Sequence, residues 1–311
     1  MQDKEKLSML VRGEINRRAK ALADNLDDLP DISRLAGRLE PTFRQQFLRA
    51  VESTQNKIQL NELARKVLAG NVSGVEAAAH LDQFVEATPA FRATLARALE
   101  VGLGKAISDL GELEVVMNFA LVNPKAVAAA EASAGILITN ILDSQRDSIA
   151  DIVRRSTNGE MDVYAAAKLI KQQIGLDPRR ARAVEKFEQK LLEQGLSQDI
   201  IDKRVERYRQ AQLKDRSLTI ARTELIKASN HGQQLIWNEA LEQGSIDKRF
   251  FQKQWIVTHD DRLDTSVCEP LDDAVAEIDG EFDSPIGGLV APPAHPRCRC
   301  AMGLVRKAGR A

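Results

Sequence analysis

Apolar residues recur at three- and four-residue intervals along almost all of the chain up to about residue 245, the period of helices that each bury one face. Leu60, Leu63, Val67 and Leu68 share such a face, and Gly70 follows as a C-cap. Leu95, Leu99, Val101 and Leu103 continue the pattern further on. A sharper stripe of Leu137, Ile138, Ile141, Leu142, Ile149, Ile152 and Val153 stops at Asn158-Gly159. Ala166, Leu169, Ile170 and Ile174 form the next, ending at Gly175. Asp177-Pro178 reads as an N-cap with proline at the first helical position, and Gly195 as that helix's end. Ser197 is placed to cap a helix through about Gln212, and a long helix is predicted from about Asp215 to Gln243. Near the N-terminus, Pro30 blocks continuation of the first helix.

At about residue 250 the period drops from helical to alternating. In "FFQKQWIVT", Phe251, Lys253, Trp255 and Val257 face one way and Gln252, Gln254, Ile256 and Thr258 the other, which predicts a strand. "DDAVAEIDGEF" and "RCRCAMGLV" read as further short strands, separated by the turns "DSPIGG" and "APPAHP". The expected fold is mainly α: an elongated helical body followed by a small α+β C-terminal module. The expected divisions are an N-terminal helical region (1–135), a helical region with basic helices (136–249) and the C-terminal module (250–311).

Composition narrows the function classes. The 311 residues are 43% hydrophobic and 29% charged, ordinary for a globular protein, and a net charge of −1 makes no case for a nucleic-acid or membrane partner of the whole molecule. Aromatics are scarce at 4%, in keeping with helices. No apolar run approaches the roughly 20 residues a bilayer span needs, and the charged N-terminus has no signal-peptide core, so a cytoplasmic start is expected.

The three cysteines are an odd number, which argues against a disulfide framework in a reducing compartment. Two of them, Cys298 and Cys300, fall in "PPAHPRCRC" with His295, and Cys268 lies in "DTSVCEPLDD". One reading is core packing: alternation in a strand puts Cys298, Cys300, Met302 and Leu304 on one face. The other is a structural zinc, with Cys268, His295, Cys298 and Cys300 as a closed Cys3His set that would support a small core. Geometry weighs against the second as long as the strand is regular. Sulfurs on one zinc lie about 3.8 Å apart, whereas strand residues i and i+2 are nearly 7 Å apart.

Landmarks in the second half of the chain come in a telling order. "IARTELIKASNHGQ" in the long helix is followed by "KQWIVTHDDRLDTSVCEPLDD" and then "PPAHPRCRC". This succession resembles the phage head morphogenesis family, the minor head proteins similar to the F protein of Mu-like phages. The resemblance covers roughly residues 137–304 and is densest from 217 to 300. It implies a non-enzymatic minor capsid protein inside the virion near the portal vertex, present in the host cytoplasm during assembly. Its implied partners are the portal protein, the major capsid protein or scaffold, and packaged DNA, with a role in head assembly and DNA packaging or ejection. The recurring positions map onto Arg222, Thr223, Glu224, Trp255, Asp261, Arg262, Cys268, His295, Cys298, Arg299 and Cys300. Many relatives have a second cysteine where this chain has Thr265, so His295 would have to complete any metal set.

Charge adds two further expectations. Twelve Lys/Arg face seven Asp/Glu between Arg179 and Arg222, which suits either a solvated helix surface or a nucleic-acid contact through Arg179, Arg180 and Arg182. Arg222 and Arg262 have Glu224 and Asp261 as candidate carboxylate partners at the junction of helix and module. The alternative of another class is a metal-dependent nuclease or hydrolase built on His259, Asp260, Asp261 and His295, although no phosphate-binding loop or second ligand cluster accompanies them.

Overall fold

The protein is seen here as a computed structural model that describes residues 32–113, 115, 124–259 and 263–307. The fold is mainly α with a small antiparallel sheet at the C-terminal end. The helices are α1 (Ile32–Lys57), α2 (Leu60–Leu68), α3 (Val72–Ala78), α4 (Asp82–Glu86), α5 (Thr88–Glu112), α6 (Pro124–Thr157), α7 (Val163–Gln173), α8 (Pro178–Glu193) and α9 (Gln198–Glu242). Strands β1 (Phe251–Ile256), β2 (Val275–Ala276) and β3 (Ala301–Arg306) follow, with a 3-10 turn at Glu269–Leu271. Pro30, Asp260, Asp261, Arg262 and Arg310 lie outside the described residues.

The chain forms two compact units. One comprises Thr42–Phe91 and Ala134–Thr219; the other takes the chain up to Pro41, Arg92–Ser133 and everything from Ile220 on. In the first unit, Phe43 packs on Phe91 and Phe47 on Phe84, with ring centroids 5.1 and 6.2 Å apart. The expected cap at Asp177 is in place there, accepting from the Arg180 amide, and Asp162 caps α7 in the same way, accepting from Tyr164 and Ala165. At the turn before α8, Gly175 has φ +83° and lies so close to Val51 that a Cβ would sit 2.4 Å from a valine methyl. The buried Gln145 closes that turn, accepting from the Gly175 amide and donating to the Leu176 carbonyl.

The other unit carries the sheet, ordered β2-β1-β3. Trp255 pairs with Met302 and Lys253 with Leu304 across β1 and β3. The inward face of β1 is Phe251, Lys253 and Trp255, as its alternation predicts. The hydrophobic core behind it includes Trp255, Phe282, Ile278 and all three cysteines, together with Ala106 and Leu110 of α5 and Ile236, Trp237 and Ala240 of α9. Trp255 meets Phe282 edge-on at 5.2 Å, a geometry worth about 0.5–1.5 kcal/mol beyond the area buried.

Two expectations are corrected. Gln198–Glu242 is one helix of 45 residues, not two. Nothing between Gln212 and Asp215 is a helix breaker, and Leu213 is buried, so the apolar face continues through the polar patch. The last strand begins at Ala301, so Cys298 and Cys300 precede it and do not alternate within it. Arg297 has φ +68° there, which bends the backbone out of extended geometry.

Candidate metal centre

Bending ahead of β3 brings the sulfurs together. Cys268 is delivered by the turn that opens the Glu269–Leu271 segment, and its Sγ lies 3.8 Å from that of Cys298. Cys300 joins them: one ligand atom from each of the three residues lies within 4.8 Å of the other two, and all three residues are buried. The Cys268–Cys298 separation matches the edge of a tetrahedron with bonds of about 2.3 Å. On the exposed side, His295 Nε2 is 3.0 Å from Cys268 Sγ, while its Nδ1 faces the Pro296 carbonyl at 2.9 Å. The objection raised by regular strand geometry therefore does not apply.

The three thiols are not equivalent. Hydrogen bonding from the Cys300 thiol, helped by the amides of Cys300 and Ala294, holds Cys298 down to about 5. Burial, and then the neighbouring Cys298 charge, pushes Cys268 up to about 12. Cys300 is raised, first by the hydrogen bond it gives Cys298 and then by burial. The cluster thus favours the thiolate at Cys298 and the thiol at Cys268 and Cys300. Crowding negative charge into this apolar pocket is unfavourable without a cation, and a divalent metal would take the place of the remaining protons. These three buried cysteines can hold a metal ion; among the described residues, no other group of three or more His, Cys, Asp or Glu converges in this way.

The loop that carries two of the ligands is held by α9. The Arg297 amide donates to Thr223 Oγ1 at 3.1 Å, at the very residue with positive φ. Gln233 donates to the Met302 carbonyl at 3.1 Å and Gln234 to the Ile278 carbonyl at 2.6 Å. Thr258 donates to the Arg299 carbonyl at 2.9 Å, tying the end of β1 to the loop between the cysteines. Thr223 is thus a positioning residue for the sulfur loop, Arg299 acts through its backbone, and Trp255 shares the core in which the cysteines are buried.

Other candidate residues fall elsewhere. Arg222 pairs with Glu40 at 2.7 Å, not with Glu224 or Asp261. Glu224 lines a cavity of about 530 Å³ with Lys227, His231, His295 and the proline-rich segment 292–296, and burial raises its pKa. His259 is paired with Asp272 at 2.8 Å, whereas His295 faces Cys268. Arg180 is engaged by Asp177 and Asp215 and is half-buried, so it is a structural residue, unlike the exposed Arg179 and Arg182.

Lys253 was not anticipated as a special residue. Its side chain is fully buried, and Nζ donates to the carbonyls of Gly280 and Val290 at 2.7 and 2.8 Å and to Gln234 Oε1 at 3.3 Å. It also lies 5.1 Å from the Phe282 ring centroid. A lysine on the apolar face of an alternating strand was the available signal. No family model, curated protein or solved structure matches the chain.

Proposed function

We propose that this chain is a non-enzymatic minor head protein of a phage capsid, which binds the portal during head assembly and whose C-terminal module is built around a zinc ion. One observation carries the reading. Of the recurring positions, Thr223 of α9 and, in the C-terminal module, Trp255, Cys268, His295, Cys298, Arg299 and Cys300 come from four separate stretches and share the core or the hydrogen bonds around one sulfur cluster, while Arg222 and Glu224 are engaged elsewhere. Short motifs recur by chance in any sequence, but chance does not bring them together in space.

Zinc suits the donor set. Three thiolates favour a soft or borderline ion, and His295 stands next to Cys268 as the fourth donor. His295 lies outside the group of three converging sulfurs, and only with it drawn in as the fourth ligand would the set be closed to substrate, which fits a structural role. The portal is the proposed partner, and α9, with Arg222 anchored to Glu40, is the frame that fixes the module for assembly.

The test combines metal analysis with assembly. Purified protein should contain about one zinc per chain, and a Cys298→Ser variant should lose it. Co-expressed with the portal protein of the same phage, the wild type should co-purify with the portal oligomer. Less than a tenth of an equivalent of metal would remove the zinc centre. A chain that stays apart from portal and head particles would remove the assembly role.

A further inference from the structure

Five acids between Asp177 and Thr219 are engaged by cations of the same unit. Asp177 and Asp215 both engage Arg180, with Asp177 also facing the buried Arg216 at 4.0 Å. Glu206 holds Arg209 at 2.7 Å, Glu185 holds Arg155 at 3.0 Å, and Asp202 is 3.8 Å from Lys168. The positive excess of the sequence is thereby left on the outside.

Along α8, Arg179, Arg182, Lys186 and Lys190 follow one another at intervals of three or four residues and so share one face. All four are exposed, and none makes a hydrogen bond or ion pair with a described residue. Arg179, Arg182 and Lys186 line an open groove of about 600 Å³ together with Pro178, Ala183 and Asp177, whose carboxylate is engaged by Arg180. Eleven residues of helix separate the first cation from the last, about 16 Å at 1.5 Å per residue. Glu193 then ends the row.

We propose that this strip is a docking surface for the phosphate backbone of duplex DNA, engaged without regard to base sequence. A row of unpaired cations complements a polyanion, and arginine forks suit phosphate oxygens. Single strands are held chiefly by stacking on free aromatic rings. The two rings of this segment, Phe187 and Tyr208, are instead stacked on each other at 4.6 Å. The inference does not draw on the head-assembly reading: duplex binding without portal association would leave it standing.

Fluorescence anisotropy of the full chain with a labelled mixed-sequence duplex is the measurement. Replacing the three groove cations (R179Q/R182Q/K186Q) should weaken binding at least tenfold and flatten the salt dependence by about 2–3 in log–log slope, near 0.9 per phosphate contact. A control triple elsewhere in the same unit, K57Q/R65Q/K66Q, should change affinity less than twofold. Lys186→Gln alone should cost about two- to threefold, and it decides the matter should the triple variant fail to fold. No duplex binding at about 50 mM salt, equal losses in both triples, a preference for single strands, or displacement by polyglutamate as readily as by DNA would each overturn the proposal.

Discussion

Lys253 is a cation placed where the core should be apolar, and its environment explains why that is tolerated. Two carbonyls and a glutamine oxygen receive its protons, so the ammonium ties β1 to the Gly280 and Val290 loops and to α9. Burial still disfavours the charged form and pushes the pKa down from 10.5 to about 8. In that window the unfolded chain binds more protons at this site than the folded one. Stability should therefore rise with pH between about 8 and 10.5, and below about 8 the buried charge is a standing cost. Urea unfolding of the wild type and of Lys253→Met across this range checks it. The increment should be missing from the variant, and parallel pH curves would show that Lys253 is not its source. The alternation of "FFQKQWIVT" already placed Lys253 on the buried face. The carbonyls that receive it are 27 and 37 residues away, and no local pattern points to them.

At the scale of elements, α5 and α9 meet backbone to backbone. A Cβ on Gly102 would fall 1.7 Å from the Ser229 carbonyl oxygen, and one on Gly232 would fall 2.2 Å from that of Leu99. Ser229 adds a hydrogen bond to the Ala98 carbonyl at 2.9 Å, which only so close an approach allows. Both contacts are to backbone, which cannot step aside as a side chain could. Gly232→Ala should cost about 3 kcal/mol, against the gain of up to about 1 kcal/mol that the same change brings in an open helix. A lowered urea midpoint would show it; an unchanged or higher midpoint would mean the helices do not approach so closely. Nothing local in the helical pattern marks the two glycines for this close approach, which appears only when the helices pair. Helix periodicity and the Asp177 cap were legible because they are local. The start of β3 was not. Polar–apolar alternation runs back through Cys298, while the bend depends on Arg297 at positive φ and on a threonine 74 residues away. Arginine carries no signal for that conformation.

For the molecule as a whole, both tryptophans report on one unit. Trp237 and Trp255 are fully buried in the core that holds the three cysteines, and the other unit contains neither. Their fluorescence follows the metal-bearing core alone, whereas far-UV circular dichroism follows the helices of both units. An ion that binds only the folded state stabilises it by about 2.7 kcal/mol when present at 100 times its dissociation constant. For a unit of this size that corresponds to roughly 5–10 °C in Tm. Removing metal with a chelator should lower the fluorescence midpoint by that much and the dichroism midpoint by less. Restoring zinc should reverse the change, and Cys298→Ser should behave like the chelated wild type with or without zinc. Equal shifts by both probes would mean the two units melt as one. No shift by either would mean that the thiols, though close enough for an ion, are held together by apolar packing alone.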